Sequence, residues 1–447
     1  MITSRIGPLT KHGLLASGLI ALLLTAPFAI AQPKDGSPAT PGITTSAQLT
    51  QFLEEHRYLE FEQTFHAAGG LSATDRRFFS GVLAELKNQT AESLQLLQPL
   101  LVRHPASELT AAQYKQGWLA LVGDYFRCCQ YGKSADACAM VLQHSTALLD
   151  ATEKQDLAGE FWFLHDLRHF PAQRVKITGQ VTIQTKRNAF GHIEAPVEVG
   201  GKTLFAVLDT AAETTAISRS LAVQLGLKIS GKNASGKGCT GARIQVQVAR
   251  IPRLQIGRAE IRNVAAAVLE DNDLLQEHPI NMLLGHPEIA ALGRVTYYAD
   301  GRFCADPARL MEGAEVWMDE NRPLIVGRTG KGPRLFLLDS GMDDCSLSCL
   351  YWKDIQDTRV GNKPESYRFW GAGGTREIPA VNAGDVALIF GTTPVVLHET
   401  MVLTQPAGAN PKERIYGIVG QSLLQSLRSW TLDYRTMHFQ IDNGANH

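Results

Sequence analysis

Leu204-Phe205-Ala206-Val207-Leu208-Asp209-Thr210-Ala211 and Leu335-Phe336-Leu337-Leu338-Asp339-Ser340-Gly341 are the same pattern written twice. Each is an apolar run of strand type that ends on an acid, a hydroxyl residue and a small residue. Each is followed by two apolar residues and a glycine, Leu283-Leu284-Gly285 in the first case and Ile418-Val419-Gly420 in the second. The steps from acid to glycine, 209 to 285 and 339 to 420, are nearly equal. Each copy then closes on a strand-turn-strand pattern, at Arg294 to Phe303 and at Ser429 to Phe439. A lone Asp-Ser-Gly occurs by chance in many turns. Two copies with matching downstream partners point to one fold repeated in tandem.

Outward from this repeat the texture is β from about Val175 to the end of the chain. Runs such as Ala195 to Val199 and Arg243 to Val248 alternate apolar and polar residues between Gly-, Asn- and Asp-rich turns. The segment before it, 48–172, has helical periodicity, with apolar residues at three- and four-residue steps in Arg77 to Leu86 and Ala91 to Leu97. Asn88-Gln89-Thr90 punctuates these two helices and His104-Pro105 stops the second. The helix pairs resemble tetratricopeptide-type repeats in part. Two readings of this segment stand, a plain packing domain and a site for a protein partner. His165 and His169 lie four apart on its last helix, but no glutamate accompanies them in a zinc-protease arrangement, so no metal site is expected.

The first 31 residues read as a signal peptide. Arg5 and Lys11 precede the apolar run Leu14 to Leu24, and Ala29-Ile30-Ala31 offers a small-x-small cleavage pattern. A Pro/Gly/Ser/Thr-rich linker, 32–47, follows. The expectation is an exported protein, periplasmic or secreted, with no membrane segment after cleavage. Seven cysteines in an exported chain permit disulfides, and one bridge within Cys128, Cys129 and Cys138 is the local candidate. A hydrophobic fraction of 44% is that of a folded chain, and a formal net charge of -1 gives no basis for a nucleic-acid partner.

With both motifs in view, 175–442 resembles the aspartic proteases, specifically the small retroviral-type (retropepsin-like) domain of bacterial proteins. The resemblance rests on Leu208-Asp209-Thr210-Ala211 to Ser218, on Asp339-Ser340-Gly341, and on the two apolar-apolar-glycine elements. It implies a mainly β fold of two tandem acid-protease β-barrel lobes, 173–307 and 308–447, related by a pseudo-twofold axis. Retroviral-type enzymes build the site from two chains; here one chain holds both copies. Asp209 and Asp339 are then the catalytic pair. Thr210 and Ser340 bond across the axis, and Ala211, Gly341, Gly285 and Gly420 support the loops. The implied activity is an aspartic endopeptidase acting on a peptide or protein substrate without cofactor.

The chemistry needs two acids. Carboxylates brought to about 3 Å cannot both ionise, so the pair shares one proton. The ionised member takes a proton from water while the protonated member donates to the scissile carbonyl. Alanine at 211 departs from the family's glycine; it keeps the N–H donor, adds a methyl and resists positive φ. Two alternatives therefore stay open, a degenerate peptide-binding protein and a scaffold. Flap candidates are Gly238-Cys239-Thr240-Gly241 and Trp370-Gly371-Ala372-Gly373-Gly374, with Trp370 as an aromatic lining for substrate. Asp343 and Asp344 read as solvated turn residues.

Overall fold

The computed structural model describes residues 45–102, 108–231, 234–238, 240–274, 280–306, 312–358, 364–406 and 414–444, together with the backbone of Leu15–Gly18. The expected cleavage site, His104-Pro105 and Cys239 lie outside these residues, as does the expected signal segment apart from Leu15–Gly18. That short strand pairs in parallel with Arg368 to Gly371. No helix among the described residues is long and apolar enough to cross a membrane.

Seven helices come first: α1 (Thr45–Glu54), α2 (Tyr58–Ala67), α3 (Ala73–Leu86), α4 (Thr90–Val102), α5 (Ala111–Arg127), α6 (Tyr131–His144) and α7 (Ala151–Leu167). The linker expected to reach 47 thus gives way to helix at Thr45. Local chemistry sets several starts. Ser72 accepts from the Asp75 N–H at 2.9 Å, and Thr110 with Gln113 forms a reciprocal capping box at α5. Asp150 with Glu153 repeats the device at α7. The apolar faces meet around the fully buried Phe61, Phe78, Phe79, Leu97 and Leu121.

From Arg174 the chain is mainly strand, and its two halves repeat one set of pairings. Lys202–Leu208 pairs in parallel with Met282–Leu284, and Gly332–Leu338 pairs in parallel with Gly417–Val419. Met282–Leu284 also lies antiparallel to Thr215–Ser218, as Gly417–Val419 does to Ser346–Leu347. The strands leading to the aspartates start exposed and end fully buried on both faces, which is why their sequences lose polar alternation toward Leu208 and Leu338. The closing strands Arg294–Tyr298 and Ser429–Asp433 pair antiparallel, which carries Arg294–Tyr298 into the second half's sheet, while Lys202–Leu208 and its neighbours form a separate sheet. Trp430 of that sheet stacks on Tyr297 at 3.9 Å between ring centroids.

The helices rest on both β halves. Tyr58 donates to Asp319 at 2.6 Å, and the Lys87 ammonium sits 3.5 Å from the centre of a Trp317 ring. On the other side α7 packs against Ser235–Lys237 so closely that a methyl at Gly159 would collide with the Ser235 carbonyl. Cys128, Cys129 and Cys138 are free thiols, so the bridge considered among them is not formed.

Candidate active site

Asp209 and Asp339 stand at the ends of Lys202–Leu208 and Gly332–Leu338, each 5% exposed or less. The backbone N–H of each is tied to the neighbouring parallel strand, Asp209 to the Leu284 carbonyl and Asp339 to the Val419 carbonyl, both at 3.0 Å. Gly285 and Gly420 follow those strands and approach the two loops where no side chain fits. A Cβ on Gly285 would lie 2.6 Å from the Thr214 carbonyl carbon, and one on Gly420 would collide with the Asp344 carbonyl.

The two loops are bonded to each other by four hydrogen bonds made by two residues. The Thr210 hydroxyl donates to the Leu338 carbonyl at 2.7 Å and accepts from the Ser340 N–H at 3.0 Å. Reciprocally, the Ser340 hydroxyl donates to the Leu208 carbonyl at 2.7 Å and accepts from the Thr210 N–H at 3.1 Å. Both residues are fully buried, so these groups have only one another as partners. A hydroxyl in this position must donate and accept at once, which restricts it to serine or threonine.

The carboxylates are oriented by N–H groups from their own loops. Asp209 accepts from Ala211 and Ala212, each at 2.9 Å, and Asp339 accepts from Gly341 at 2.9 Å. Ala211 has a negative φ and is buried, so the methyl is accommodated and the donor is kept. Burial and then the charge of Asp339 push the Asp209 carboxyl well above the ordinary carboxylate range. Burial also pushes Asp339 up to about 7, against the pull of the Gly341 N–H and of His192 and Arg322. Two acids of raised pKa tied into one buried unit can hold a proton between them at pH values where ordinary carboxyls are ionised. Such a pair can act as acid and base on opposite sides of one reaction.

The two flap candidates meet. Gly238, Thr240, Gly241 and Ala242 lie at the tip of the hairpin Ser235–Lys237 and Arg243–Gln245, with Gly241 at φ +79°. Ala372-Gly373 is the tip of the hairpin Glu365–Gly371 and Gly374–Asn382. The Thr240 hydroxyl donates to the Gly373 carbonyl at 3.3 Å, and a side chain on Gly238 would strike the Ala372 carbonyl. Trp370 corrects the expectation for it. It is 1% exposed and belongs to the same hydrophobic cluster as Ala372, Ile415 and Trp317, so the ring is part of the core and offers no free face to a peptide.

Five residues around these loops and hairpins were not legible as such. His192 is fully buried in the first half and pairs with Asp343 of the second at 2.6 Å, so Asp343 is not a solvated turn residue. Asp344 is also drawn in, and burial raises its carboxyl to about 6. Asp156 of α7 pairs with Lys237 at 2.5 Å and with Arg243, one on each strand of the hairpin Ser235–Lys237 and Arg243–Gln245. Glu213 is buried in the loop after Asp209, where the Arg322 guanidinium partly offsets its desolvation. His165, weighed as a ligand, packs against the rings of Phe161 and Trp162.

Residues 195–287 match the family model described as aspartyl protease. Among solved structures the chain is similar to a retropepsin-like aspartic protease from Rickettsia conorii, at 19% identity. That match covers 30% of this chain and 90% of the other, with a TM-score of 0.20. No curated protein matches the sequence. From Ala195 to Pro287 the chain is therefore similar to the aspartyl proteases, and Asp209, Ala211 and Gly285 lie inside the matched stretch.

Proposed function

We propose that this chain is an aspartic endopeptidase whose single site takes Asp209 from one lobe and Asp339 from a second, tandem lobe related by a pseudo-twofold axis. The observation that carries the reading is the reciprocal bonding of Thr210 and Ser340, which brings the two aspartate loops together in one chain. A water between the carboxyls loses a proton to the ionised aspartate and attacks the peptide carbonyl. The protonated aspartate gives its proton to the carbonyl oxygen, and the gem-diol collapses with proton transfer to the leaving amine. The extended substrate lies beneath the paired hairpin tips, bonding its backbone to their strands. In this reading the chain is exported after loss of 1–31, and the helical segment 48–172 accompanies the lobes 173–307 and 308–447.

The test is cleavage of a denatured mixed-protein substrate by the chain from Gln32, with and without pepstatin, from about pH 3 to about pH 8. Because burial raises both carboxyls, the pair keeps its shared proton further up the scale than free acids do. Activity should extend to near neutrality and fall as pH rises and that proton is lost. A well-folded protein that cleaves nothing in this range supports a peptide-binding protein instead.

A further inference from the structure

Lys186–Arg187 pairs with the start of Ile193–Val199, and the turn between them, Asn188 to His192, reaches from the first half onto the loop that carries Asp339. Local chemistry fixes the turn. The Asn188 side-chain oxygen accepts from the Phe190 N–H at 3.0 Å and from the His192 N–H at 3.1 Å, and Gly191 takes the left-handed conformation at φ +89°. With its oxygen so engaged, the Asn188 amide turns its NH2 toward His192 Nδ1 at 3.3 Å. That nitrogen is then the acceptor, so the ring carries its proton on Nε2, the atom 2.6 Å from the Asp343 carboxylate. His192 is fully buried, so the pair is shielded from water.

A second contact leaves the same turn. Arg187 donates to the Gly191 carbonyl at 2.5 Å and to the Gln421 side-chain oxygen at 2.8 Å. Gln421 is 1% exposed, and its Nε2 donates to the Ser340 carbonyl at 2.6 Å. The Asp339 loop is thus held from the first half at Ser340 and at Asp343, on either side of the Gly341 N–H that bonds the Asp339 carboxylate. The first loop differs. Asp209 accepts from two N–H groups of its own loop, against one for Asp339 among the described residues. His286 follows Gly285 as Gln421 follows Gly420, yet its Nδ1 has no partner among the described residues. The aspartate with fewer donors of its own is the one braced from the opposite half.

We infer that His192 and Arg187 are positioning residues for Asp339. One turn of the first half sets the carboxyl of the second, through Asp343 on one side and through Gln421 and the Ser340 carbonyl on the other. Both act through other residues of the loop, so their loss misplaces the acid and slows the chemical step while leaving the peptide's binding to the strands unchanged. The assignment rests on Asp339 being half of the catalytic pair, as proposed above.

The test measures kcat and KM for a peptide substrate with the full chain, unsubstituted and as His192→Leu, His192→Gln and Arg187→Met, with circular dichroism to verify folding. His192→Leu keeps bulk and removes the group that faces Asp343, so kcat should fall about 10- to 100-fold with KM within about threefold. His192→Gln returns an N–H near the place of Nε2, and kcat should recover to within about threefold of the unsubstituted value. Arg187→Met cuts the contact to Gln421 and should lower kcat about five- to tenfold, again with KM held. Arg187 is exposed, so this variant decides should His192→Leu fail to fold. An unchanged kcat in either folded variant, a loss that appears in KM instead, or a His192→Gln as slow as His192→Leu overturns the assignment and leaves the endopeptidase reading standing. A folded, unsubstituted chain that cleaves nothing overturns both.

Discussion

Gly341 lies against the carboxylate of Asp209, so close that a Cβ there would sit 2.5 Å from its Cγ. This contact crosses from one aspartate loop to the other, and it explains why the two loops differ in what they tolerate. Gly341→Ala must displace the very carboxyl it touches, and we expect kcat to fall on the order of 10²-fold or more, the scale of a lost general acid or base. Ala211→Gly removes a methyl from a position that already has negative φ and keeps its N–H bond to Asp209, so activity should stay within about threefold. Steady-state kinetics on a peptide substrate, with circular dichroism to verify folding, checks both.

Thr210 and Ser340 each hold two bonds, and losing a hydroxyl leaves a buried N–H and a buried carbonyl without partners. Thr210→Val and Ser340→Ala should each cost about 2 to 6 kcal/mol, at roughly 1 to 3 kcal/mol for each stranded group. Denaturant unfolding of the β transition measures this. A loss below about 0.5 kcal/mol, the size of an ordinary surface substitution, would mean the loops are held by something else.

Glu288 is 1% exposed, and burial raises it from 4.5 to about 7 even though the Thr215 hydroxyl bonds its carboxylate. A raised folded-state value means that the native protein holds this proton more tightly than the unfolded chain does. The associated stability is complete below about pH 4.5 and is lost as pH rises through about 7, which amounts to roughly 3 kcal/mol at 1.36 kcal/mol per unit. Burial shifts Glu85 and Glu160 in the same direction. The Tm should therefore fall between about pH 5 and pH 8, and Glu288→Gln should flatten that slope. A Tm that rises across the interval would contradict this account of the buried acids.

Asp156, 3% exposed, fastens α7 to both strands of the hairpin Ser235–Lys237 and Arg243–Gln245 through Lys237 and Arg243. Asp156→Ala would leave Lys237 buried and unpaired, at a cost of about 3 to 5 kcal/mol. Amide exchange should quicken in Ser235–Lys237 and Arg243–Gln245 before it does in Gly332–Leu338. Uniform exchange across these strands would show that the helix does not restrain the hairpin.

The aspartates were legible because their signal is local and doubled. An apolar run, an acid, a hydroxyl, a small residue and a distant glycine recur in order, and each is demanded by a buried strand end or a close backbone approach. The helices were legible from their period and from the punctuation at Asn88-Gln89-Thr90. His192, Asp156 and Glu213 were not, since His192–Asp343 and Asp156–Lys237 join residues far apart in sequence, and tertiary docking rather than any local period selects them. Asp343 misled because an acidic pair after a glycine reads as a solvated turn. Trp370 misled because an aromatic beside a glycine-rich tip reads alike whether its ring faces substrate or core; here it faces the core.

The proposed catalytic pair takes Asp209 and Asp339 from one chain. The most direct measurement compares peptide cleavage by the unsubstituted chain, by Asp209→Asn, by Asp339→Asn, and by an equimolar mixture of the two variants. Cleavage should appear in the unsubstituted chain alone, and the mixture should stay at background because each chain carries one disabled half. Cleavage by either variant, or activity recovered in the mixture, would contradict a site built from both aspartates of a single chain.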